Sequence, residues 1–311
     1  MISSAYLVKH QRADSAHTVD LKIQLFCDAQ CELAEAPVWH DKSKSLFWVD
    51  ILENRLYQKT WLSEMYCFWE LPETVSSIAL DKRDDQNIWL VSEHAIIRFN
   101  MNTGFFNPVI GLDLGSGFRA NDGAVGPDGR YWFGSMLRNP LPNQGKVYSV
   151  GSAGDIRTEI TGIAIPNTFC WQKDHLLISD SLLQVCRIYR FSNGHLSKDD
   201  EPEIFLDCSY TKGTPDGGAM DSHGNIWIAL WGASKVIAFN TVGTAVAELT
   251  VPVPQPSSCC FGGPDNKWLF VSTAREGLTD LELRQYPDSG KIFAVNLEQK
   301  GTIVSKFRID L

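Results

Sequence analysis

Four residues with oxygen-bearing side chains recur at one position along this chain. They are Glu35 in "LAEAPVW", Asn121 in "RANDGAV", Asn167 in "IPNTFCW" and Asp216 in "TPDGGAM". Each stands about 10–12 residues before a bulky anchor: Phe47, Trp132, Leu177 and Trp227 respectively. Ser77 and Ser258 hold the same phase before Trp89 and Leu269. Carboxylate and amide oxygens are the donors that hard divalent cations take. Two carboxylates would supply charge, the amides neutral oxygens, and water or substrate the remaining positions. One such residue alone reads as a strand-end cap in a wet channel. Four at one phase favour convergence on a common site.

The elements that would position them repeat six times. Compare "EAPVWHDKSKSLFWVD", "SSIALDKRDDQNIWLVS", "NDGAVGPDGRYWFGS", "NTFCWQKDHLLISD", "DGGAMDSHGNIWIAL" and "SCCFGGPDNKWLFVST". Each is a short apolar strand, a polar turn and a second strand built on the anchor. Successive anchors are about 42, 43, 45, 50 and 42 residues apart, the spacing of four-stranded propeller blades. A third alternating strand follows, as in "KVYSVGS" and "KVIAFNT", then a weaker fourth, as in "EIFLD" and "AVAELTV". Strands of this length without helical periodicity predict an all-β fold, a six-bladed β-propeller with a central channel metal site. A long β-sandwich would not keep the fixed period. Residues 21–27, "LKIQLFC", are available to complete the last blade and remove its edge. The predicted organisation is a polar N-terminal arm over 1–20 and a single propeller domain over 21–311. The first strand of a unit lines a propeller's channel, and its start faces one mouth.

The same ruler separates two copies of Pro-Asp-Gly. Asp128 lies four residues before Trp132, within the turn between first and second strands. The matching turn of the fifth repeat is "DSHGN" at 221–225. Asp128 therefore reads as a turn residue and Asp216 as a member of the ring.

Composition narrows the function classes. The chain has 311 residues, 44% of them hydrophobic, and a net charge of −9. No basic block marks a nucleic-acid surface. No apolar run approaches the ~20 residues of a membrane span. The N-terminus has no apolar h-region, so the expected location is cytoplasmic, with the eight cysteines as free thiols. There is no HExxH pair, no EF-hand loop and no G-x-S-x-G elbow.

At the residues quoted, the sequence resembles the gluconolactonase/regucalcin family, also called the senescence-marker-protein family. The matching segments are "LAEAPVW", "RANDGAVGPDGRYWFGSM", "IPNTFCW", "PDGGAMDSHGNIWIALW" and "FGGPDNKWLFVSTA", in family order over about residues 30–300. The resemblance implies a six-bladed propeller with one divalent metal ion (calcium, zinc, manganese, magnesium or iron) in its channel. It implies Glu35, Asn167 and Asp216 as metal ligands, and Arg119 and Asn121 as contacts to a sugar lactone. The implied reaction is hydrolysis of that lactone to its aldonic acid. Some positions depart from the family pattern. Ala34 and Ala36 flank Glu35 where glycines are usual, Thr168 replaces the Gly of "PNG", and Gly126 stands where Asp is common. An acidic contact after "GTM" is missing; "SMLRNPL" brings Arg138 and Asn139 there, and Asn139 becomes the candidate substrate contact.

Within that reading Asp216 is the candidate catalytic residue, both ligand and acceptor of the water proton. Arg119 would clamp a substrate oxygen through its fork of donors; a surface salt bridge is its competing reading. Asp122 is expected to buttress the site or cap a turn. Two other functions stay open: another ester or phosphotriester hydrolase on the same propeller, and a calcium-binding propeller without catalysis. The expected partner is a small sugar lactone, with neither nucleic acid nor membrane.

Overall fold

The computed structural model describes residues 22–197 and 200–310. The predicted polar arm over 1–20 lies outside the described residues. Six antiparallel sheets follow one another around a central axis. Their innermost strands are Ala34–His40, Val75–Leu80, Phe118–Val125, Pro166–Gln172, Thr214–Met220 and Pro256–Gly262. Each of these touches the next, and the sixth touches the first, so the ring closes. The predicted six-bladed β-propeller is the observed fold.

Within each blade the strands pair in chain order outward from the axis. The last blade borrows its outer strand. Gln24–Cys27 pairs with Ile292–Asn296, setting Gln24 opposite Ala294 and Leu25 opposite Phe293. The closing strand is therefore shorter than the 21–27 expected. The fourth blade adds a small hairpin, Val185–Ser192 against His195–Leu196, before its outer strand Glu203–Asp207.

The anchors explain why the period holds. Phe47, Trp132 and Leu269 are wholly buried, as are Leu177 and nearly all of Trp89 and Trp227. They sit in apolar clusters that join one blade to the next. A fully buried Leu or Phe side chain contributes roughly 1.5–3 kcal/mol, so each unit is stabilised mainly by its neighbours.

The polar turns lie at the far mouth. Asp128 accepts the Arg130 N–H at 3.1 Å and the Trp132 indole N–H at 3.2 Å. Asp221 accepts the His223 and Asn225 N–H groups, each at 2.9 Å, and the Trp227 indole at 3.1 Å. Asp128 is thus a turn residue, and its counterpart in the fifth blade is Asp221 rather than Asp216.

The C-terminal segment crosses that far mouth. Gly301 bridges Asp221 and Phe307 bridges Asp81. Phe307 is fully buried, with its ring 5.4 Å from Trp89 and 5.5 Å from Tyr131 between ring centres. One short helix, Asp280–Gln285, departs from the all-strand pattern. It begins at a capping box in which Thr279 and Glu282 satisfy each other's backbone N–H groups. No helix among the described residues is long and apolar enough to cross a membrane.

Candidate active site

Every innermost strand carries a β-bulge near its start. In the first blade Glu35 faces Val49 but Val38 already faces Phe47, so one extra residue intervenes. Equivalent shifts follow Ala120, Asn167 and Pro215. A bulge bends the strand and re-aims its side chains. Here it does so at the channel end of all six blades.

The residues opposite the anchors are Val38, Ala79, Ala124, Cys170, Ala219 and Phe261. Glu35, Ser77 and Asn167 each face the residue two past their anchor, Val49, Val91 and Ser179 respectively. Asn121 and Asp216 stand within the bulge itself, and Ser258 faces Ser272. Ser77 meets the Tyr131 hydroxyl at 2.8 Å, while the neighbouring Ser76 hydroxyl is buried with no hydrogen-bond partner among the described residues.

A chain of hydrogen bonds links three blades. Arg119 Nη1 donates to Asn121 Oδ1 at 2.7 Å. Asn121 Nδ2 donates to Asn167 Oδ1 at 3.0 Å and to the Pro166 carbonyl at 3.1 Å. Asn167 Nδ2 donates to Ser181 Oγ at 2.8 Å, and Ser181 Oγ donates to the Pro215 carbonyl at 2.7 Å. Each donor fixes which way the next amide faces. Pro215 is the residue before Asp216, so the chain ends beside the second carboxylate.

The two carboxylates are buried, each 8% exposed. Burial pushes both Glu35 and Asp216 well above the usual carboxylate range; the Asp122 charge raises Glu35 further, and the charges of Glu35 and Asp122 raise Asp216 further. Glu35 accepts the Ala36 N–H at 3.0 Å. Arg119, itself buried, is the cation that partly offsets them, and burial lowers its own pKa. Among the described residues its hydrogen bonds run from Nη1 alone, to Asn121 and the Ala120 carbonyl, which leaves Nε and Nη2 available as donors there. Arg119 is not in a surface salt bridge.

Asp122 buttresses the ring from behind. Its carboxylate accepts the Gly123 N–H at 2.7 Å and the Thr168 N–H at 2.9 Å, and burial pushes its pKa up to about 6. On its side of the bulge the channel holds a cavity of about 310 Å³. That cavity is chiefly apolar and is bordered by Thr302–Ser305 of the C-terminal segment. Glu35, Asn121, Asn167 and Asp216 do not line it.

Glycine makes one close approach possible. A Cβ on Gly217 would lie 2.1 Å from Ser258 Oγ, so the fifth and sixth blades meet too closely here for any side chain. This lets Asp216 sit against the sixth blade.

The rim residues divide. Arg138 pairs with Glu93 of the second blade and is spent on that contact. Asn139 is exposed and makes no hydrogen bond to the cluster among the described residues. Glu276, from the long connection between Trp268–Thr273 and Ile292–Asn296, was not singled out from the sequence. Its charge is the largest acting on Arg119, and it is held by its N–H to the Glu32 carbonyl at 3.0 Å. The ruler could not find it, because the ruler addresses inner strands only. Its one signal is an acidic residue just beyond the sixth unit's second strand, on the mouth side.

The donor chemistry fits a hard divalent cation. Glu35, Asn167 and Asp216 bring oxygen donors from three blades, and the two carboxylates repel each other without one. Among the described residues no cluster of three or more His, Cys, Asp or Glu is placed to hold a metal, so a centre here relies on the Asn167 amide. The cysteines form no alternative: all eight are free and only Cys67 is exposed.

Fold and site together define a class: a six-bladed propeller with a buried ring of oxygen donors at one mouth of its channel. The chain belongs to the SMP-30/Gluconolactonase/LRE-like family, whose family model matches residues 33–275. It is 27% identical over 285 residues to regucalcin of Pongo abelii, covering 88% of this chain and 94% of that protein. It is 29% identical over 255 residues to the pentonolactonase XacC of Haloferax volcanii, covering 79% and 83%. Among solved structures, the calcium-binding protein regucalcin from Agrobacterium tumefaciens superposes with a TM-score of 0.87 at 28% identity, over 93% of this chain and 98% of that one.

Proposed function

We propose that this chain is a metal-dependent sugar lactonase, opening an aldonolactone (of the glucono-, galactono-, arabino- or xylono- kind) to its aldonic acid. The observation that carries the reading is the pairing of two buried carboxylates, Glu35 and Asp216, beside a buried arginine with free donors. Family membership and the pentonolactonase relative support it.

Glu35, Asn167 and Asp216 would hold one divalent ion: calcium, magnesium, manganese, zinc or iron. Such an ion supplies Lewis-acid polarisation of a carbonyl and acidifies water. The protein does the rest. Asp216, its basicity raised by burial, takes a proton from the attacking water as the new C–O bond forms. The ring C–O bond breaks, and the departing alkoxide takes a proton back, leaving one hydroxy acid. A positioned base of this kind contributes about 10²–10⁴-fold in rate. Arg119 Nε and Nη2 bind a lactone oxygen, and Asn121, held by Arg119 and Asn167, presents its amide beside it. Asn139 reaches the outer hydroxyls from the rim.

The test is acid release from a panel of pentono- and hexonolactones, with and without chelator and with metal restored. Chelation is expected to abolish turnover and metal to restore it. Full metal-dependent activity in Asp216→Ala would remove Asp216 from both roles. A second reading, calcium binding without turnover, draws on the regucalcin relatives. Calcium uptake with no turnover across the panel would favour it.

A further inference from the structure

Thr168 occupies a backbone conformation made for glycine. Its φ is +60°, in the left-handed region, and it is wholly buried. Glycine adopts this region freely, whereas a β-branched residue there is a rare exception. Such a residue persists only where its surroundings over-determine it. Three contacts do so here. The Thr168 N–H donates to Asp122 Oδ2 at 2.9 Å. The Thr168 hydroxyl donates to the backbone carbonyl of Asp216. Ser179 Oγ donates to that same hydroxyl at 2.9 Å, so its proton is directed at Asp216. The methyl group packs toward Gly218, where a Cβ would lie 3.1 Å from it.

From these contacts we infer that Thr168 is a positioning residue: its hydroxyl locks the backbone of Asp216 to that of Asn167, holding two oxygen donors from adjacent blades at one fixed separation. Glycine would remove the strain and lose the lock. The side chain therefore does what the backbone conformation alone cannot. Ala36, the other residue with positive φ beside a ring member, has no hydroxyl and makes no such link. The inference rests on the proposed function in one respect only, namely that Asn167 and Asp216 share a cation.

Three variants separate positioning from folding. Thr168→Val keeps the shape and removes the hydroxyl. Thr168→Ser keeps the hydroxyl. Thr168→Gly relieves the backbone. Calcium affinity is read by calorimetry on metal-stripped protein, kcat and KM on the lactone panel, and folding by thermal melting. Partners that orient metal ligands typically change affinity 10–100-fold. Val and Gly are expected to lose about tenfold or more in calcium affinity and in kcat, with KM within about threefold. Ser is expected to stay near the parent, and Gly to melt no lower than the parent while binding calcium more weakly. If Val does not fold, Ser179→Ala tests the same lock from its other side and should weaken calcium binding. Parent-like affinity and kcat in Thr168→Gly would overturn the inference and leave the lactonase reading standing. A parent that binds calcium but opens no lactone would overturn the lactonase reading, while the affinity series still decides the role of Thr168. A parent that does neither overturns both.

Discussion

Asn121 and Asn167, on inner strands of adjacent blades, are joined by a direct amide hydrogen bond of 3.0 Å. The contact sets the Asn167 oxygen and, through Ser181, ends at the residue before Asp216. Asn121 is therefore a strut as well as a candidate substrate contact. Removing it in Asn121→Ala leaves Asn167 Oδ1 without its donor and Arg119 Nη1 with only the Ala120 carbonyl as acceptor. An unpaired buried polar group costs about 1–3 kcal/mol. The expected outcome is a fall in kcat/KM of about tenfold to a hundredfold, with weaker metal binding, measured by steady-state kinetics and calorimetry.

Arg119 offers a cleaner separation. Its Nε and Nη2 are the free donors, so Arg119→Ala should act mainly on KM, raising it about tenfold or more. Arg119→Lys should not rescue it, because an ammonium lacks the planar fork. An unchanged KM in the alanine variant would place Arg119 outside the substrate site.

The carboxylate pair predicts a pH dependence. Burial and repulsion raise the Glu35 and Asp216 pKa values in the folded state, so between the ordinary carboxylate pKa and the raised ones the folded protein binds more protons than the unfolded chain. Stability of metal-free protein is then highest below that window and falls as pH rises through it. A bound dication reverses the sign, because it favours the ionised pair. The thermal midpoint of metal-free protein should drop as pH climbs through this window, and calcium should recover it with release of protons into the buffer. A midpoint that rises with pH in the absence of metal would contradict the arrangement.

Phe307 tests the far end of the channel. It is fully buried between Trp89 and Tyr131, and the C-terminal segment hangs on it. Phe307→Ala should cost about 3–5 kcal/mol of stability in denaturant titration. Because Glu35, Asn121, Asn167 and Asp216 do not line that side of the channel, the folded fraction should keep its kcat.

The sequence alone determined the architecture. Six anchored units at a steady period can bury their apolar faces only against one another, and that demand is written in every repeat. It also separated Asp128 from Asp216, since a turn residue and a strand-start residue stand at different distances from the same tryptophan. Tertiary structure decided what distance along the chain cannot encode. Turn length and the place of the bulge vary between blades, so spacing alone does not say which residue of the neighbouring strand a ring member faces. The bulge is a property of pairing, visible only once a neighbour strand is laid beside it. Glu276, Thr168 and Ser181 matter because of what they meet across blade boundaries, and those meetings depend on how the blades are set around the axis. Repetition along one chain specifies the blade; the contacts between non-identical blades make the site.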